Sequence, residues 1–71
     1  MSRLGDNLKE LRMLNEISQR EFAEKMQTTQ QRVSEWETGK CEPSLYSIVR
    51  ILRLYDITFE ELIDGVDFTT R

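Results

Sequence analysis

The chain has 71 residues, of which 38% are hydrophobic and 32% are charged, and its formal net charge is −3. This length allows one domain with a modest core, and the composition predicts a folded chain. Because histidine is absent and Cys41 is the single cysteine, an internal disulfide is excluded, and we expect no metal centre, no cofactor and no enzyme.

The N-terminal stretch is polar from Ser2 to Glu10, so we expect no signal peptide. No apolar run reaches the roughly 20 residues of a membrane span. A lone cysteine is typical of a reducing compartment, and we interpret Cys41 as a bystander thiol in a loop. These features predict a cytoplasmic protein with no membrane association.

Leucines at positions 4, 8 and 11 recur at the spacing of one helix face, which predicts a first helix from near Ser2 to about Asn15. Arg12 follows Leu8 by four residues and therefore lies on the apolar side of this helix. A buried guanidinium needs a carboxylate partner, and Glu37 lies on the inner face of its own helix. We predict an ion pair between them; the alternative is that both side chains extend to solvent.

Ser18 and Glu21 have the spacing of a capping box, which predicts a second helix from about Gln19 to Met26. Thr29 is a favourable N-cap for a third helix, and Gly39 is a favourable stop. Two short helices separated by a few residues form a helix-turn-helix unit. Such a unit presents its second helix on an exposed ridge.

The third predicted helix turns Val33, Trp36 and Glu37 to one face. Its other face carries amides and hydroxyls beside one carboxylate: Gln30, Gln31, Ser34, Glu35 and Thr38. A glutamine amide has both a donor and an acceptor, which the edge of an adenine requires. A solvated helix face is the alternative interpretation of this pattern.

Pro43 predicts an extended turn, after which Ser44 caps a fourth helix to about Tyr55. A second capping box, Thr58 to Glu61, opens a short fifth helix that extends to Gly65. The inward positions of the fourth helix are Ile48, Ile51, Leu52 and Tyr55. The following residues have no clear periodicity.

The net negative charge argues against a nucleic-acid partner, but its distribution weakens that objection. Residues 1–41 carry seven basic and seven acidic side chains, whereas residues 42–71 carry three basic and six acidic ones. The excess negative charge therefore lies towards the C-terminal end, away from the glutamines.

The chain resembles the XRE/Cro–repressor helix-turn-helix family in five segments that run in register from about Leu4 to Ile63: LGDNLKELR, ISQREFAEKM, TTQQRVSEWETGK, EPSLYSIVRIL and ITFEELI. The TTQQ at the head of the third helix is particularly similar to lambdoid phage repressors. The resemblance implies an all-α, five-helix, lambda-repressor-like domain over residues 1–65, followed by a tail over residues 66–71. Helices 2 and 3 would form the helix-turn-helix.

The resemblance further implies a transcriptional repressor that reads the major groove of double-stranded DNA. On the family's pattern the base-reading positions are Gln30, Gln31, Ser34 and Glu35. The phosphate-contacting positions are Gln19, Arg20, Thr28, Thr29, Arg32, Thr38 and Lys40. Arg12 and Glu37 match the family's internal ion pair.

One recognition helix reads only a few base pairs, so we expect a homodimer on a palindromic operator with half-sites roughly 34 Å apart. We expect the dimer contact to use apolar residues that are not part of the predicted core: Leu54, Val66 and Phe68. Their alternative role is to fold over the core. The negative charge, Glu35 and the apolar tail support a second hypothesis, an antitoxin-like or other protein-binding module.

The chain departs from the family's pattern at three positions. Gln27 and Asp56 stand where a helix-ending glycine is usual, and a left-handed backbone would cost about 1 kcal/mol at each. Glu35 stands where a polar or basic side chain is common. Phosphate would repel its charge, whereas cytosine N4 could donate to it, and the sequence leaves both open. Arg32 reaches either a phosphate or a guanine.

Overall fold

Five helices make up the regular structure of the chain in the computed structural model, which describes residues 4–66. They are α1 Leu4–Leu14, α2 Gln19–Met26, α3 Gln30–Thr38, α4 Leu45–Tyr55 and α5 Phe59–Leu62. The predicted all-α architecture is confirmed. The expected start of the first helix near Ser2 lies outside the described residues.

The fifth helix is shorter than the sequence pattern predicts. It ends at Leu62, where the pattern predicts an extension to Gly65. The N–H of Val66 donates to the carbonyl of Ile63 at 2.9 Å, and Gly65 adopts a left-handed φ of 78°. The chain therefore turns within these residues instead of continuing the helix.

The N-caps of α2 to α5 are hydroxyl side chains, each accepting a backbone N–H three residues later at 3.1–3.2 Å: Ser18, Thr29, Ser44 and Thr58. Glu21 and Glu61 complete the two predicted capping boxes by accepting the cap N–H at 3.2 and 2.8 Å. Helices this short are marginal by themselves, so local caps and tertiary packing must both support them.

The core lies between the inner faces of all five helices. Its buried members are Leu8, Phe22, Ala23, Met26, Val33, Trp36, Ile51 and Leu62. The predicted inward face of α4 is confirmed, since Ile51 is fully buried and Ile48, Leu52 and Tyr55 pack against this cluster. The rings of Phe22 and Tyr55 stack with centroids 5.9 Å apart, which joins α2 to α4.

Asn7 connects the first helix to the end of the last one. Its Nδ2 donates to the carbonyl of Leu62 at 2.7 Å and to the carbonyl of Asp64 at 2.9 Å. Carbonyls at a helix C-terminus have no partner inside their own helix. Asn7 supplies that partner from α1, although it is far away in the sequence.

Three non-glycine residues after helices adopt a left-handed backbone. The φ angles are 56° at Glu16, 57° at Gln27 and 53° at Asp56. Gln27 and Asp56 are the two positions where the family usually has glycine, and the left-handed backbone that carries a cost there is present at both. Glu16 was not singled out from the sequence. After each of these residues the next N–H returns to a carbonyl of the preceding helix, for example Thr28 to Ala23 at 2.9 Å. These hydrogen bonds offset part of the backbone strain.

We expect Gln27→Gly to raise the free energy of unfolding by about 0.5–1 kcal/mol, because glycine adopts this left-handed conformation without a Cβ penalty. Urea unfolding followed by circular dichroism measures the change. Glu24→Gly is the matched control, since Glu24 is an exposed residue within α2, and we expect it to lose about 1 kcal/mol. Equal losses in both variants would contradict the strain at Gln27.

Candidate nucleic-acid interface

The two helices of the predicted helix-turn-helix unit pack against each other and are joined by residues 27–29. The third helix also packs against α1. Val33, Trp36 and Glu37 are buried on its inner face, as the sequence pattern predicts. One side of α3 is therefore held by the domain, and the opposite side is available to a partner.

A buried polar network fixes the C-terminal turn of α3. Arg12 Nε donates to Glu37 Oε2 at 2.7 Å, and Arg12 Nη2 donates to Oε1 at 3.2 Å. Only 13% and 3% of the two side chains are exposed. Arg12 Nη1 also donates to the carbonyl of Ile17 at 2.9 Å. The pair inferred from two helix faces is present in the structure.

Gln19 supplies a further donor to the same carboxylate. Its Nε2 lies 3.1 Å from Glu37 Oε1, and the side chain is half-buried. The family resemblance implied a phosphate contact for Gln19. In the structure its amide joins the start of α2 to the end of α3, so this side chain supports α3.

Gly5 allows α1 to approach the backbone of α3. A Cβ at this position would lie 2.3 Å from the carbonyl oxygen of Trp36 and 2.6 Å from that of Glu37. Helix periodicity alone did not predict a role for Gly5. The available signal was a glycine inside a helical leucine pattern, which often marks a packing requirement.

The four positions predicted to read bases differ in exposure. Gln30 and Gln31 are exposed at the first turn of α3, whereas Ser34 and Glu35 are half-buried further along. Glu35 contacts the loop that follows the helix, because its Oε1 lies 3.7 Å from Cys41 Sγ. This contact was not predicted from the sequence.

Most of the positions assigned to phosphate contacts lie at the ends of α2 and α3. Arg20, Thr29, Arg32, Thr38 and Lys40 are exposed, and Gln19 and Thr28 are half-buried. Two of the hydroxyls also have roles within the fold. Thr29 Oγ1 caps α3, and Thr38 Oγ1 donates to the carbonyl of Ser34 at 3.0 Å.

The helix-turn-helix family model matches residues 8–62, which extend from within α1 to the end of α5. The chain belongs to the XRE-type helix-turn-helix family. The resemblance inferred from the sequence segments is therefore confirmed at the level of the family.

The chain is also similar to the HTH-type transcriptional activator BcrR of Enterococcus faecalis. The two sequences are 29% identical over 66 residues, which cover 93% of this chain and 32% of BcrR. This helix-turn-helix chain thus spans about a third of the length of that relative.

The three residues predicted to form a dimer contact differ in what the structure shows of their exposure. Leu54 is 43% exposed, Val66 is half-buried, and Phe68 lies outside the described residues. Other large apolar side chains are exposed at least as strongly on α1, α4 and α5: Met13, Leu14, Leu45, Tyr46 and Phe59. The exposed apolar surface is therefore wider than the sequence predicted.

Within residues 4–66, no group of three or more histidine, cysteine, aspartate or glutamate residues is arranged to hold a metal ion. No helix in the same range has the length and hydrophobicity needed to cross a bilayer.

Proposed function

We propose that this chain is a DNA-binding transcription regulator that places α3 in the major groove of double-stranded DNA. The arrangement of α3 carries this proposal. Its inner face is fixed by Val33, Trp36 and Glu37, and its first turn presents Gln30 and Gln31 to solvent. A rigid helix with exposed amides at its N-terminal end is suited to direct hydrogen bonding with base edges.

Exposed cations lie at three places along the helix-turn-helix. Arg20 is in the first turn of α2, Arg32 is in the first turn of α3, and Lys40 follows α3 directly. These side chains would contact phosphates and set the register of α3 in the groove. The acidic excess of residues 42–71 makes the overall charge negative without removing these local cations.

We propose a homodimer on a palindromic operator, with repression by occupancy of that operator. A single α3 spans too few base pairs to bind its own site much more tightly than non-specific DNA. This favours two copies of the chain per site. The name of the relative BcrR describes an activator, so the sign of regulation needs its own measurement. We expect lower expression from a reporter whose promoter contains the selected operator.

Replacing both Gln30 and Gln31 with alanine is expected to weaken binding to a selected duplex by about 30-fold or more, because each bidentate contact contributes about 1–3 kcal/mol of discrimination. The duplex comes from a selection on randomised DNA. Fluorescence anisotropy at fixed salt then gives affinities for this duplex and for a scrambled one. Both glutamines are exposed, so circular dichroism should show an unchanged fold.

Lys40→Ala is the matched control for that experiment. We expect it to weaken binding to both duplexes equally and to reduce the log–log salt slope by about 0.9, the value for one lost phosphate contact. Unchanged affinity of the Gln30→Ala/Gln31→Ala variant for the selected duplex would show that α3 does not read bases.

A groove between α1 and α5 favours protein binding as a second candidate function. It has a volume of about 200 Å³ and is lined by four apolar and several polar side chains: Leu11, Leu14, Ile57 and Leu62 with Asn7, Glu10, Glu61 and Asp64. Leu14 is 73% exposed and the neighbouring Met13 is 59% exposed. The acidic side chains complement a basic amphipathic segment of a partner protein.

Nuclear magnetic resonance titration tests this second candidate with a synthetic amphipathic helix that carries leucines on one face and lysines on the other. We expect shifts at groove residues in the wild type and none of comparable size in Leu14→Glu. Shifts that survive Leu14→Glu would exclude the groove as the binding site.

A further inference from the structure

Glu35 is contacted twice by Cys41 and once by Lys40. Cys41 Sγ lies 3.7 Å from Glu35 Oε1. The carbonyl of Glu35 also accepts the N–H of Lys40 at 2.9 Å and the N–H of Cys41 at 3.3 Å. The loop after α3 therefore wraps around one residue of the base-reading face.

The position of the thiol is itself fixed by packing. Cys41 is half-buried and packs against the hydrophobic core. A thiol is a weak hydrogen-bond donor, so its contact with a carboxylate contributes more to orientation than to stability. Glu35 is likewise half-buried, in contrast to the exposed Gln30 and Gln31.

The sequence left two outcomes open for Glu35, namely repulsion of its charge by phosphate and acceptance of a hydrogen bond from cytosine N4. The contact with Cys41 bears on this choice. A freely rotating carboxylate beside DNA would be repelled by phosphate. Immobilising a glutamate side chain costs rotamer entropy, and a preformed contact pays part of that cost before DNA binds. A carboxylate offers about four acceptor sites, so one thiol contact leaves several for another donor.

We propose that Cys41 is a positioning residue that holds the Glu35 carboxylate at the base-reading surface, where it accepts a hydrogen bond from the exocyclic amine of cytosine. This inference rests on the proposed function, because it concerns the sequence that the same surface selects. The ligand is a duplex with cytosine at the position facing Glu35 in each half-site. Cytosine N4 is the major-groove donor that glutamate pairs with.

Selection on randomised duplex DNA, followed by anisotropy titration at fixed salt, tests the proposal in the full chain. The wild type should prefer cytosine at one position of each half-site by about tenfold, and Glu35→Ala should lose this preference. Cys41→Ala removes the thiol donor and should reduce the preference about threefold. Cys41→Ser, which keeps a hydrogen-bond donor at this position, should retain most of it.

The double variant Glu35→Ala/Cys41→Ala separates positioning from a general structural role. If Cys41 acts through Glu35, removing the thiol should have no further effect on base preference once the carboxylate is absent. Binding to a scrambled duplex should be equal in Cys41→Ala and the wild type. The carboxyl carbon shift of Glu35, measured without DNA, should change in Cys41→Ala and stay near the wild-type value in Cys41→Ser.

The outcomes distinguish this inference from the proposed function. A wild-type chain that selects no duplex overturns both. A selected duplex whose cytosine preference is absent, or is unchanged in Cys41→Ala, overturns the inference alone. A Cys41→Ala effect that persists in the Glu35→Ala background also overturns it, since the thiol would then act independently of the carboxylate.

Discussion

Replacing Glu37 with alanine is expected to lower the free energy of unfolding by about 3–5 kcal/mol. The variant leaves the guanidinium of Arg12 in a site where only 13% of its side chain is exposed. It also removes the acceptor of Gln19 Nε2. A loss of this size is a large part of the roughly 4–10 kcal/mol expected for a domain of this length. Urea unfolding followed by circular dichroism measures it.

The double variant Arg12→Met/Glu37→Leu is the control for the buried charge. Apolar side chains of similar volume leave no unpaired ion, so we expect this variant to lose much less stability than Glu37→Ala. A loss below about 1 kcal/mol in Glu37→Ala itself would contradict this account. It would mean that water in the variant stabilises the Arg12 guanidinium as much as the Glu37 carboxylate does in the wild type.

Gly5→Ala is expected to destabilise the domain by about 1–3 kcal/mol, although alanine favours helices over glycine by about 1 kcal/mol. The added Cβ would lie 2.3 Å from the carbonyl oxygen of Trp36. A backbone oxygen cannot rotate away as a side chain can, so α1 must move away from α3. Urea unfolding again gives the change in stability.

Lys9→Ala is the matched control for Gly5→Ala, because Lys9 is an exposed residue of the same helix. We expect its stability to stay within about 0.5 kcal/mol of the wild type. If Gly5→Ala were as stable as Lys9→Ala, the close approach of α1 and α3 would not contribute to the fold.

Both destabilising variants also bear on DNA binding. Glu37 lies in the last turn of α3, and Gly5 of α1 packs against the backbone of that turn. The exposed glutamines are at the other end of α3. If either variant stays folded at low temperature, a shifted α3 should weaken binding to the selected duplex more than binding to a scrambled one. Such a result would link the buried network to base recognition, since phosphate contacts alone carry no sequence information.

The sequence by itself determined the helices and where most of them begin. Ser18, Thr29, Ser44 and Thr58 cap their helices through hydrogen bonds that span three residues, so a local pattern is sufficient to find them. The pair of Arg12 and Glu37 was also predictable. Each of two opposite charges on inner helix faces loses its hydration on burial. Pairing with each other is the main way to offset that cost.

Tertiary structure alone decided the features that depend on distances between remote segments. Local periodicity does not show that Gly5 touches the backbone of α3, that Gln19 donates to Glu37, or that Asn7 caps α5. The thiol of Cys41 looked like a bystander until packing placed it beside Glu35. Sequence spacing fixes the face of a helix on which a residue lies, whereas the approach of two helices depends on every side chain packed between them.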